Sequence, residues 1–116
     1  MAETPTLKAS GTTTPTVGTE NFSASINVAG AFQYIVDTTN MVAGDVLELR
    51  VYQMVLTAGT QRVLYLGRWA GAQPTDDLIK SSQIVGNDLT DANSIRFSLN
   101  QTFGTARAFP WKVLQF

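Results

Sequence analysis

The chain has no cysteine and no histidine. Without cysteine there is no disulfide framework, no thiol nucleophile and no structural zinc of the usual kind. Without histidine the usual general base near neutral pH, the usual nucleophile triads and the commonest metal ligand are missing. Charge is scarce as well. Charged residues make up 15%, eight basic against nine acidic, with a net charge of −1. They are scattered, with no run of like sign. A nucleic-acid-binding face needs clustered lysines and arginines, so no nucleic-acid partner is expected. No stretch approaches the roughly 20 apolar residues of a spanning helix, and the N-terminus lacks the hydrophobic run of a secretory signal. The expectation is a chain made in a cytoplasm, with no membrane partner.

Other absences concern chemistry. Gly67–Arg68–Trp69–Ala70–Gly71 has the wrong spacing for a phosphate-cradling loop. Serines and threonines are plentiful, but none sits in a nucleophile elbow. The acidic clusters, Asp76–Asp77 and Asp88/Asp91, lie in loops rich in Gly, Asn and Pro, where acids form turns. A calcium site built from Asn87, Asp88 and Asp91 lacks the spaced run of oxygen ligands such sites use. The sequence therefore predicts no catalytic residue, cofactor, metal or small-molecule substrate.

What is present is alternation. Gly44 to Trp69 reads as two strands joined at Thr57–Ala58–Gly59. Leu47, Leu49, Val51 and Val55 share one face, and Glu48, Arg50 and Tyr52 the wetter one. Phe22–Val28 and Phe32–Val36 alternate likewise, and Ile95–Phe103 does so most strictly. Leu78–Val85 reads as a weak edge strand, with Lys80 discouraging strand addition. Ala106–Phe116 returns after a turn at Gly104, and Pro110, which has no amide hydrogen, belongs at an edge or bulge. No window shows helical periodicity. About seven strands at this spacing predict an all-β antiparallel β-sandwich, jelly-roll-like in form. Its expected core is Leu47, Leu49, Val51, Val63, Tyr65, Ile95, Phe97, Leu99 and Trp111. The 116 residues suffice for one domain with a core of its own.

Residues 1–19 look different. Seven of the nineteen are threonine. The segment reads as an extended N-terminal arm beside a sandwich of residues 20–116. Pro5, Leu7, Pro15 and Val17 are its candidate contacts with a neighbouring subunit. Among the aromatics, Trp69, Phe103, Phe109, Trp111 and Phe116 suit core or subunit interface, or the platform of a carbohydrate-binding module. Arg107 is placed to stack on a ring or bond a partner's carboxylate. The interface candidates are thus Pro5, Leu7, Pro15, Val17, Trp69, Arg107, Phe109, Trp111 and Phe116.

Four runs, GDVLELRVYQMVL, GTQRVLYLGRWAGAQ, IKSS and IRFSLNQTFGTARAFPWKVLQF, resemble the small head decoration, or cement, proteins of tailed bacteriophages. The resemblance covers roughly residues 35–116 and centres on Gln101 to Trp111. It implies a structural protein of the virion, placed on the outside of the phage head. The implied partner is the major capsid protein, with the chain working as a homotrimer at capsid subunit junctions. It carries no catalytic residues. It suggests that Gly104, Arg107, Pro110 and Trp111 belong to a shared fold or contact surface. The same pattern suits another phage component, such as a head–tail or tail protein.

Overall fold

The computed structural model describes residues 4–116. Among them lie nine strands and no helix. The strands are β1 (Thr6–Thr13), β2 (Glu20–Ile26), β3 (Gly30–Asp37), β4 (Val46–Gln53), β5 (Arg62–Ala70), β6 (Ile79–Ser81), β7 (Val85–Asn87), β8 (Ile95–Phe103) and β9 (Phe109–Gln115). Two antiparallel sheets pack face to face. The first runs β1-β9-β3-β6, with β7 also on β3, and the second runs β2-β8-β4-β5. Leaving β7 aside, the couples are nested: β4 with β5, β3 with β6, β2 with β8, β1 with β9. A long hairpin folded over on itself in this way is the jelly roll, an eight-strand form of the β-sandwich.

The alternation read in β4 is what places the core. Leu47, Leu49 and Val51 are fully buried between the sheets, opposite Phe32, Tyr34 and Val36 of β3 and Phe109 and Val113 of β9. Each such side chain stabilises the fold by about 1.5–3 kcal/mol relative to exposure. Ile95, Phe97 and Leu99 complete the second sheet's inner face. Tyr65 and Trp111 pack at the margin. Val63 is not core but 48% exposed. A bulge lets Val51 face Tyr65 while Tyr52 faces Val63, so Leu64 is extra and Val63 turns outward. Val55 also leaves the inner row. It projects with Leu56 from the β4–β5 tip, where the Gly59 amide donates to the Leu56 carbonyl at 2.9 Å.

Of the expected arm, residues 1–3 lie outside the described residues. Thr6–Thr13 is extended as expected, but its ladder partner is the chain's own β9. Trp111 locks it there. Its Nε1–H donates to Thr13 Oγ1 at 2.9 Å, and its indole lies over Gly11, where a Cβ would come within 3.1 Å of the ring. Pro15 is buried where the chain crosses between sheets, and Val17 is half-buried beside it.

The weak strand read over Leu78–Val85 is two pieces, β6 and β7. Between them Ser82 leaves the ladder to bond Tyr34 through both its amide (2.8 Å) and its hydroxyl (3.0 Å). Lys80 does not face solvent. It is 5% exposed and points between the sheets, with Nζ 2.6 Å from Asp77 Oδ2 and 5.8 Å from the Trp69 ring centre. Pro110 lies in β9 between two strands, yet the β3 ladder stops at Trp111, so β1 alone flanks the proline.

Candidate interaction face

The pairing order lays the outer face of the second sheet out in cross-strand rows. Glu20, Asn100, Glu48 and Arg68 make one. Phe22, Ser98, Arg50 and Leu66 make the next. Ser25, Arg96, Tyr52 and Val63 make the third. These residues come from four strands far apart in sequence. Glu20 Oε2 accepts from Tyr52 OH and from Ser98 Oγ, both at 2.7 Å. Arg50 donates to Glu48 Oε1 at 2.8 Å and to Tyr52 OH at 3.3 Å. Arg68 Nε stands 3.8 Å from the other oxygen of Glu48. The Tyr52 phenol is raised above its ordinary pKa, by burial first and then by its bond to Glu20, while Arg50 opposes the shift.

Apolar surface stands among these polar groups. The Arg96 guanidinium lies 3.5 Å from the centre of the Phe22 ring, and Phe22 meets Tyr52 at 5.7 Å. Phe22, Val63, Leu64 and Leu66 remain 41–52% exposed. Aromatic residues and arginine beside aliphatic ones are the composition of a protein contact surface. Among the described residues, three buried polar atoms have no hydrogen-bond partner: Arg50 Nε, Asn100 Oδ1 and Thr102 Oγ1. All three belong to side chains of this outer face, where an unpaired buried polar group costs about 1–3 kcal/mol.

The interface residues expected from sequence are not brought together. Phe109 is fully buried in the core. Trp111 faces inward, with its ring centre 6.2 Å from that of Tyr34. Trp69 lies under the β5 edge against Gly67, and Phe116 is half-buried with its amide bonded to the Ala31 carbonyl. Pro5 and Leu7 are exposed. Leu7 borders a shallow groove of about 290 Å³ on the outer face of the first sheet, with Ile35, Ile79 and Pro110. Arg107 needs no partner protein for its carboxylate, because Nε sits 3.1 Å from Asp45 Oδ2 of its own chain.

Asp45 is a hub for the loops at one end of the sandwich. It is 1% exposed. Its carboxylate accepts from the amides of Val42 (3.0 Å) and Thr105 (3.2 Å) as well as from Arg107. Burial pushes its pKa up, but the bonds from Val42, Arg107 and Thr105 outweigh that and hold the carboxyl below its ordinary value. A carboxyl depressed in the folded state stabilises the protein fully above its unfolded pKa of about 3.9 and loses that contribution as pH falls through the folded value. Asp45→Asn is therefore expected to show a shallower loss of stability below about pH 4 than the parent, measured by denaturant titration across pH.

At the other end side chains of the turn residues tie the loops together. Asp91 accepts from the Ala58 amide at 2.6 Å, and Asn87 Nδ2 donates to the Val28 and Leu89 carbonyls. No group of three or more His, Cys, Asp or Glu placed to hold a metal ion occurs among the described residues. Asp77 is bound by Lys80. Compared with protein-family models, curated proteins and solved structures, the chain finds no match in any of the three.

Proposed function

We propose that this chain is a structural virion protein of a tailed bacteriophage, a capsid cement protein that binds the outside of the head and holds capsid subunit junctions together. The observation that carries the reading is the outer face of the second sheet. Phe22, Arg96, Tyr52, Arg50 and Leu66 stand there on a rigid four-stranded support, uncovered by any other part of the described chain. Such a face docks on protein. The resemblance of residues 35–116 to decoration proteins supplies the partner, the major capsid protein, and the trimer at threefold points. Binding only the expanded lattice favours that lattice by mass action, and gripping several subunits at once adds avidity to modest contacts.

The test is co-sedimentation of the purified chain with expanded heads of its virus that lack it. Phe22→Ala is expected to weaken attachment ten-fold or more, because an exposed aromatic ring stacked with arginine is the kind of contact that acts as a hot spot. It should change folding stability by no more than about 1 kcal/mol, the ring being 41% exposed. Undiminished attachment of Phe22→Ala would count against this face as the capsid contact.

A further inference from the structure

A strand at the edge of a sheet presents a row of unpaired backbone donors and acceptors, and proteins normally blunt such edges. Most edges of this sandwich are blunted. β1 is bulged between Leu7 and Ala9 and carries Lys8. β2 is bulged between Phe22 and Ala24. β6 and β7 have three residues each, and β6 turns Lys80 inward. β5 is different. It runs for nine residues, and past the bulge at Leu64 the stretch Tyr65–Ala70 stays in unbroken register with β4. It contains no proline, lysine or carboxylate, and Leu64 and Leu66 stand exposed on it.

We propose that β5 accepts an extended segment of a partner protein as a further strand of the second sheet, and that this segment is acidic. The ladder supplies affinity through main-chain hydrogen bonds, and side chains set the choice of partner. β5 carries Arg62 and Arg68. Arg62 makes no ion pair among the described residues, and Arg68 is 59% exposed with Glu48 at 3.8 Å. The bulge counts Val63 and Leu64 as one ladder position, so the two arginines stand five positions, about 17 Å, apart, Arg68 on the outer face with Leu66 and Arg62 on the opposite face. A segment with a carboxylate near each end, one on each of its faces, and an apolar residue against Leu66 matches them. A second copy of this chain does not: its β5 brings two more arginines and no carboxylate. Nucleic acid is disfavoured because only a peptide backbone completes the ladder.

The probe is the peptide acetyl-Glu-Thr-Val-Thr-Val-Glu-amide, titrated into the isolated chain and followed by amide hydrogen exchange. This experiment needs no virus particle, so it stands or falls independently of the virion reading. Slowed exchange confined to β5 amides between Arg62 and Arg68 is expected. Arg62→Glu combined with Arg68→Glu should weaken binding ten-fold or more and confer binding of the same peptide with lysine in place of both glutamates. Leu66→Glu, at a site 52% exposed, should fold as the parent does and lose the peptide. No protection on β5 with about 1 mM peptide, the weak end of specific binding, would overturn the proposal. So would protection on β1 or β6 instead, or a β5-protected dimer formed by the chain alone.

Discussion

Asp45→Ala is expected to lower folding stability by about 3 kcal/mol, the lower end of the range for removing one partner from a buried charge pair, since Arg107 is partly exposed. The physical reason is what remains behind. The amides of Val42 and Thr105 and the Arg107 guanidinium all lose their acceptor at once. Gly104 belongs to the same unit. Its φ is +95°, and an added Cβ would fall 2.8 Å from the Asp45 Cα and closer still to its carboxylate. Gly104→Ala therefore strains the backbone and displaces Asp45 together. The two changes remove one arrangement, so the double variant should lose distinctly less than the sum of the singles. Equilibrium unfolding of the three variants measures this. A loss below about 1 kcal/mol for Asp45→Ala would mean the loops close without it.

Trp111→Ala is the second large effect. Removing a core tryptophan costs about 3–5 kcal/mol, and the half-buried position of Trp111 points to the lower part of that range. Three contacts go together: the edge-on meeting with Tyr34, the hydrogen bond to Thr13 and the cover over Gly11. The last two hold β1, so the variant should also show faster amide exchange over Thr6–Thr13 than elsewhere. Trp111→Phe keeps most of the packing and loses the hydrogen bond, about 1 kcal/mol. If Trp111 served an outside contact instead, Trp111→Ala would leave the isolated chain's stability unchanged.

The fold was legible where alternation was strong. Leu47, Leu49 and Val51, and Ile95, Phe97 and Leu99, lie in the core because period-two patterning has one physical solution in a sandwich. β1 was not legible as part of the domain. Its threonines carry no apolar row, and what holds it is a ladder with β9, about a hundred positions away, fastened by the Trp111 indole. The inward lysine was hidden for a related reason. Lys80 occupies an inner position of β6, and its charge is tolerated because Asp77, three residues earlier, meets it at the sandwich rim.

The candidate face was half legible. Glu48, Arg50 and Tyr52 announce a wet row on β4. Nothing local says that Glu20 and Ser98 join them, because that depends on β8 lying between β2 and β4. Nor does sequence separate Arg107, which closes on Asp45 within the chain, from Arg96, which lies over Phe22 on the open face. Both are arginines near aromatic residues, and only the pairing of strands tells them apart.

The measurement that tests the virion reading most directly is the number of copies of this chain in purified virus particles, relative to the major capsid protein. A cement role requires a number comparable to the shell subunit. A handful of copies would move the chain to the tail or the head–tail junction, and complete absence from the particle would contradict a structural role in it.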